Sequence, residues 1–516
     1  MSSLSRPSRH RGRARRRSAV TLAAVVAMLA AAGCGSREST ASIIATERGG
    51  GTVVTTAPAT TATAPGGVTT TGGTTTGGTV AGGAGGTVTS PTGGRAGNGG
   101  TVGGGSSSAP STTGGTQGGG QTNAGGSTSG STGATSTPCQ TQGSPIKIGE
   151  VGAFSGLVGA SIPGAHAALP VWVRYINSEG GIACHPVVLY QDDDESNPAI
   201  SSSDVHTLAQ SDHVAAIVGN WVPLDVAGFR QAVESVKIPA VGGDMVTTDW
   251  NESPYMYGVG GAARAQFVGS VAGLAKQGLT RIAIFYCIES TACTSYNAAL
   301  GAQGGAAHNG QKVVYTAATS LTQPDFTSQC ENAKKANAQV IVAAGDDSYV
   351  QRAARSCAGI NYYPVMALSA TQGDFDKSDP NMRKDGASLG SAAVPYVLDN
   401  TPALQAFHDA MKEYAPTAPV ENSAIVTWSD GMMFKAAIDA LGPSARTEDI
   451  TPALVMKGLS KIKNETLGGL IPPTTYGAGG GSSSPSPEIL CYYPMLFGHT
   501  GEFSAPQGNK YLCFKF

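Results

Sequence analysis

Residues 146–198 limit what this chain can become more than any other stretch. They open on an apolar run, Ile146, Ile148 and Val151, that ends at glycine. A segment of helical spacing follows, then Gly180-Gly181, then a second apolar run, 187–190, that closes on Asp192, Asp193, Asp194 and Glu195. Strand, loop, helix, turn and strand in that order open a doubly wound α/β lobe. Small ligands of such lobes sit outside the carboxyl ends of the strands. The loop Gly152-Ala153-Phe154-Ser155-Gly156 lies at one such end, and it is expected to form one lip of a binding cleft.

The pattern continues and then restarts. Residues 214–219, 238–243, 281–286, 312–316, 340–345 and 364–368 read as strands. Between them, 224–236, 260–278, 297–308, 326–336 and 348–358 carry helical spacing. Two successive β-α series imply two lobes of similar build. The segment 386–396 is expected to return the chain toward lobe one, where helices at 402–414 and 424–441 would pack. The tail after Gly468 is rich in Gly, Ser and Pro, then aromatic, and reads as a short β excursion closing the fold. The expected class is therefore α/β, with two Rossmann-like lobes of parallel sheet joined by a hinge. Lobe one would span about 143–260 plus 390–516 and lobe two about 261–389.

Ahead of the body the composition changes sharply. Residues 1–18 carry seven arginines and no acid, and 19–32 form a short apolar run before Gly33-Cys34. A basic head, a brief apolar core and small residues describe a signal peptide over 1–33. The run is too short for a comfortable bilayer span. Ala31-Ala32-Gly33-Cys34 resembles a bacterial lipobox, with Ala31 where leucine is usual, which implies acylation of Cys34. Arg16-Arg17 also loosely resembles a twin-arginine export signal. From 34 to 142 the chain is Gly, Thr and Ser, which cannot bury a core and reads as disordered. A Gly-rich coil of ~100 residues has an r.m.s. span of roughly 55 Å, enough to lift a domain off a membrane.

Net charge is −2, which gives no reason to expect nucleic acid as a partner. The chain has nine cysteines, ordinary for an exported protein. With Cys34 set aside, the other eight fall in near pairs, and the expected bonds are Cys139–Cys184, Cys287–Cys293, Cys330–Cys357 and Cys491–Cys513. Zinc is set aside, since there is no CxxC and no histidine stands at ligand spacing from a cysteine pair.

The chain resembles the substrate-binding lipoproteins of branched-chain-amino-acid-type ABC transporters over about 145–441. The likeness rests on IKIGEVGAFSG, on YINSEGGIACHPVVLYQDDDESNPAISSSDVHTLA, and on VAAIVGN followed by IPAVGG. RIAIFY and DFTSQCENAKKANAQVIVAAGDDSYVQRAARSCAGI continue it. It implies the type I periplasmic-binding fold, with two lobes, three crossovers and a closing cleft. It also implies a lipid-anchored solute receptor delivering a small molecule to an ABC importer. The alternative is a ligand-binding sensor module without a dedicated permease.

In family members that bind amino acids, the ligand carboxylate meets the loops after the third and fourth strands through hydroxyls and helix-start N–H groups. The third-strand loop here is Asn220-Trp221-Val222-Pro223, without the expected serine. The fourth offers Asp244, Thr247 and Thr248. The ammonium partner is usually a lobe-two acid. The best positional match, near Ser369, holds none, and Asp346 or Asp347 stand in its place. Trp221 and Tyr296 are stacking candidates. The expected ligand-binding set is Ser155, Trp221, Asp244, Thr247, Thr248, Tyr296, Asp346 and Ser369. An amino acid or similar metabolite is expected, and a different small polar or aromatic ligand stays equally open.

No enzyme is expected. Ser155 sits in GAFSG rather than GxSxG. The acids 192–195 lack the spacing and glycine of a calcium loop, and read instead as ending a strand and capping the helix after Pro198. There is no nucleophile paired with a base, no metal set and no phosphate loop, so no cofactor or metal is expected. The expected partners are a small-molecule ligand, an ABC permease and, through the lipid anchor, a membrane. The body is expected to be monomeric and to face the extracytoplasmic side.

Overall fold

The computed structural model describes Cys139 and residues 142–369, 372–481 and 483–516. The expected signal peptide, Cys34 and almost the whole expected linker lie outside the described residues.

The first lobe begins with β1 (Ile146–Gly152), α1 (Pro163–Ser178), β2 (Val187–Asp193) and α2 (Pro198–Gln210). It continues through β3 (Ala216–Asn220), α3 (Val226–Val236), β4 (Ala240–Gly243) and β5 (Met256–Tyr257). Its five strands are parallel, in the order β2-β1-β3-β4-β5. Every residue of β3 is buried, as a parallel strand covered on both faces requires.

The second lobe carries α4 (Ala263–Ala275), β6 (Arg281–Cys287), α5 (Thr291–Leu300), α6 (Gly305–His308) and β7 (Lys312–Thr319). Then come α7 (Thr327–Lys335), β8 (Val340–Ala344), α8 (Asp347–Gly359), β9 (Val365–Leu368), α9 (Pro380–Asp385) and β10 (Ala387–Ser391). The strands order as β7-β6-β8-β9-β10, the winding of lobe one repeated. The chain then returns to lobe one as α10 (Pro402–Tyr414), α11 (Asn422–Asp439) and α12 (Pro452–Leu459), with α11 packed on α1, β3 and β4. Gly242 permits that approach: at φ +68° a side chain is disfavoured, and a Cβ there would lie 1.9 Å from Asp430 Oδ1. The tail supplies β11 (Cys491–Phe497), β12 (Phe503–Ser504) and β13 (Leu512–Cys513).

Three points differ from the sequence reading. Residues 387–391 form β10, a parallel partner of β9, so the return to lobe one starts only after Ser391. The tail does not close lobe one. β11 runs antiparallel to β10, so 491–513 extends the second sheet. The expected helix 297–308 starts earlier, because Ser290 accepts the Ala292 amide and caps α5. It also ends earlier: Gly304, at φ +76°, separates α5 from α6. The chain thus crosses between lobes after β5, after β10 and after α12.

The disulfides formed are Cys139–Cys184, Cys287–Cys293, Cys330–Cys357 and Cys491–Cys513. The first ties the end of the linker to lobe one, the second closes the β6–α5 corner, and the last joins β11 to β13. Among the described residues no helix is long and apolar enough to cross a membrane.

Candidate ligand-binding cleft

The carboxyl ends of the two parallel sheets face a common gap. The residues after β1 (Val158, Ser161, Ile162) and after β3 (Pro223, Leu224) meet those after β6 (Ser290, Cys293) and β8 (Gly345, Asp346) around about 430 Å³ of space, partly open to solvent. A second, smaller pocket shares Cys293 and Gly345 with the first and adds Val246, Tyr296, Ser369 and Gln372. The lobes touch across the gap: Ser290 Oγ donates to the Pro223 carbonyl at 2.5 Å, and Gln266 Nε2 to that of Met245 at 2.8 Å. The walls are mainly apolar. Among the described residues that line the two cavities, Asp346 alone carries a charge.

The expected ligand-binding residues divide into three groups. Asp346, Tyr296 and Ser369 line the cavities. Asp346 is also the N-cap of α8, taking the Tyr349 amide at 2.8 Å. Tyr296 is stacked on Phe267 at 4.2 Å, and its hydroxyl meets Ser270 Oγ at 2.6 Å. Burial raises the pKa of Tyr296, so its phenol stays protonated. Ser369 has its amide held by Gln372 Oε1 at 2.8 Å.

A second group frames the cleft without lining it. Ser155 is exposed on the β1–α1 loop, and its amide is held by Asp193 Oδ1 at 3.0 Å. The same oxygen takes the amides of Phe154 and Glu195. Burial pushes the Asp193 pKa up, but the hydrogen bonds outweigh it and the pKa ends low, so a charged carboxylate pins the lip. The acids therefore do not cap α2. Asn197 does, accepting the Ala199 amide at 2.9 Å. Thr247 is buried beside Val246 with no partner for its hydroxyl among the described residues. Thr248 is exposed, and its side chain hydrogen-bonds Glu252.

The third group belongs to the core. Trp221 is fully buried in lobe one, and its Nε1 donates to Thr427 Oγ1 on α11 at 2.8 Å. An indole anchored that way faces α11 rather than the gap. Asp244 is fully buried too. It accepts from the Val222 amide at 3.1 Å, and from the Val246 amide and Trp250 Nε1 at 3.2 Å each. It caps no helix but ties the loops after β3 and β4 together, and burial lifts its pKa to about 7.

Sequence reasoning missed Val158, Ser161, Ile162, Pro223 and Ser290. Pro223 stands two places after Trp221, and Ser290 lies inside the Cys287–Cys293 loop, so the strand-end rule pointed to their segments but not to their side chains. Among the described residues no group of three or more His, Cys, Asp and Glu is placed to hold a metal ion.

Two doubly wound sheets of matching order, joined by three crossovers and facing one gap, define a bilobal solute-binding protein of the type I periplasmic kind. The chain belongs to the periplasmic binding protein family, whose sequence profile matches residues 145–480. Solved structures of the same fold include a possible leucine/isoleucine/valine-binding protein from Rhodopirellula baltica, at 15% identity and TM-score 0.61, over 72% of this chain and 98% of that one. A fatty acid ABC transporter substrate-binding protein from Thermomonospora curvata shares 16% identity at TM-score 0.59, over 71% and 93%. A leucine-binding protein from Thermotoga maritima shares 13% at TM-score 0.56, over 70% and 97%. No curated protein sequence matches the chain. A solute-binding, non-enzymatic role outside the cytoplasm follows from the family.

Proposed function

We propose that this protein is the lipid-anchored receptor of an ABC importer, holding a small molecule between its lobes and presenting it to a membrane permease. The observation that supports this best is the largely apolar pocket, partly open to solvent, at the carboxyl ends of both sheets, with few polar groups converging on it. Closure by rotation about the crossovers would bury the solute, and opening would release it. Cys34 is the acylated residue in this reading, and the Gly/Thr/Ser segment is the tether. Ser161, Ser290 and Asp346 supply the polar contacts, while Val158, Ile162 and Leu224 take the apolar part of the solute. Relatives of this fold include proteins described as binding leucine, fatty acid and benzoate. The walls here suit a molecule with a comparable apolar body.

The test is thermal stabilisation across a broad panel of amino acids, carboxylates, amines and nucleosides. A solute at a hundred times its Kd adds about 2.7 kcal/mol, which a melting curve resolves. At least one class is expected to raise Tm. A flat response across the panel would overturn the receptor reading.

A further inference from the structure

On the lobe-one side of the gap, the protein holds its own anion. The loops after β3 and β4 reach the cavities through Pro223, Leu224 and Val246. Two amides of these loops converge on one internal carboxyl. Asp244 Oδ2 accepts from Val222 at 3.1 Å and Oδ1 from Val246 at 3.2 Å, and Trp250 Nε1 is a third donor to it. Asp244 is fully buried, so these donors and not water answer its charge. Pro223, next in the chain after Val222, has no N–H to offer. A solute carboxylate arriving here would find these donors already bound to a carboxyl of the protein.

No cation makes up the loss. Among the described residues that line the two cavities, none is Lys, Arg or His. Arg352 stands behind the wall at Leu321, but its guanidinium is engaged. Nε donates to the Gln323 carbonyl at 3.0 Å, Nη1 to Ser348 Oγ at 2.8 Å and Nη2 to the Leu321 carbonyl. His166 is stacked on Phe154 of the lip at 4.3 Å. Burial lowers its pKa against the pull of Asp193, so it is neutral at neutral pH. Asp346, the one charge of the walls, is answered as well. Its Oδ1 takes the Tyr349 amide at 2.8 Å and its Oδ2 the Ser348 hydroxyl at 2.9 Å, at the positive end of α8. The polar groups left for a solute are uncharged. Ser161 brings a hydroxyl to the larger cavity, and Thr247 Oγ1, buried next to Val246 of the smaller one, has no partner among the described residues.

We propose that the solute is uncharged, an apolar molecule carrying a carboxamide or hydroxyl group, and that Asp244 enforces this by occupying donors that a solute carboxylate would need. The proposal deepens the receptor reading and rests on it. A carboxylate entering the cleft would lose its hydration to mainly apolar walls and meet the like charge of Asp346. Burial lifts the Asp244 pKa to about 7 against its hydrogen bonds, so at pH 8 Asp244 is ionised and repels an anion too. An ammonium would give up its hydration for a carboxylate whose charge is already answered. A carboxamide or alcohol loses far less on entering, and it can both donate to and accept from the Ser161 hydroxyl.

The experiment compares matched probes on the full chain at pH 8. Isovaleramide and isoamyl alcohol are set against isovalerate, isoamylamine and leucine. Phenylacetamide and 2-phenylethanol are set against phenylacetate, phenethylamine and phenylalanine. An uncharged member of at least one set is expected to raise Tm and to bind about tenfold or more tighter than its charged matches. Asp244→Ala frees the Val222 and Val246 amides, and it should bind the matching carboxylate about tenfold or more tighter than the parent does. Ser161→Ala should weaken the uncharged probe about fivefold without moving the Tm of the free protein. If Asp244→Ala does not fold, the parent's ranking of the probes decides alone. A carboxylate, amine or amino acid that binds the parent as well as its uncharged match would overturn the inference. So would a folded Asp244→Ala with no gain for carboxylates, and either result leaves the receptor reading standing. Silence of every uncharged probe would overturn it too, and the receptor reading would fall with it only if the broad panel were also silent.

Discussion

Replacing Trp221 separates a residue of the core from a residue of the cleft. The indole is fully buried, and its N–H is held by Thr427 on α11. Trp221→Phe keeps an aromatic ring but deprives the buried Thr427 hydroxyl of its donor, a cost of about 1–3 kcal/mol. The vacated ring atoms add about 1–2 kcal/mol of lost packing. Trp221→Ala removes the whole side chain and should cost about 3–5 kcal/mol. Denaturant unfolding reads these losses as a lower midpoint at constant slope. Solute affinity should change by less than about threefold in Trp221→Phe, because the ring touches α11 and not the gap. The refuting result is an unfolding midpoint unchanged from the parent with affinity down tenfold or more, which would put the indole against the solute.

Other perturbations follow from the same contacts. Removing Cys139–Cys184, which closes a 45-residue separation, should cost about 4 kcal/mol, against about 2 kcal/mol for Cys287–Cys293 at a separation of 6; unfolding midpoints of the serine variants check the ranking. Desolvation lifts the pKa of both the Asp194 and the Asp225 carboxyl; Asp225 raises Asp194 further, while the hydrogen bond with Asp194 draws Asp225 part of the way back. Asp225→Asn is therefore expected to raise Tm at pH 8 and to change it little at pH 4. Burial lifts Asp204 and Asp244 to about 7, so each binds its proton more tightly folded than unfolded. The stability they add is complete below the ordinary carboxylate range and is lost as pH rises to about 7. Calorimetric Tm should therefore be higher at pH 5 than at pH 8, and the opposite order would contradict the burial of these acids.

The alternation of apolar runs and helical spacing was enough to place both series of strands, because parallel strands buried on both faces leave long, unmistakable apolar runs such as 340–344. What it could not settle was ownership. Residues 387–391 (ASLGS) and 491–497 (CYYPMLF) carry nothing that assigns them to one lobe, and only their pairing with β9 and with each other decides which sheet they join. The disulfide order was legible because near neighbours in sequence sit at the same strand and helix ends. The site was partly legible. Strand ends marked the right segments, yet Trp221 and Asp244 drew attention as large or charged loop residues and turn out to hold the loops from behind. The actual walls include Val158, Ile162, Pro223 and Leu224, small and apolar groups that look like core in any sequence.

The central claim, that a solute is gripped between the two lobes, is met most directly by hydrogen–deuterium exchange with the stabilising solute added. Amide protection should appear together at 158–162 and around Leu224 in one lobe and at 290–293 and 345–346 in the other, all four being cavity walls. Protection confined to a single lobe, or to the outer surface of either, would contradict the account.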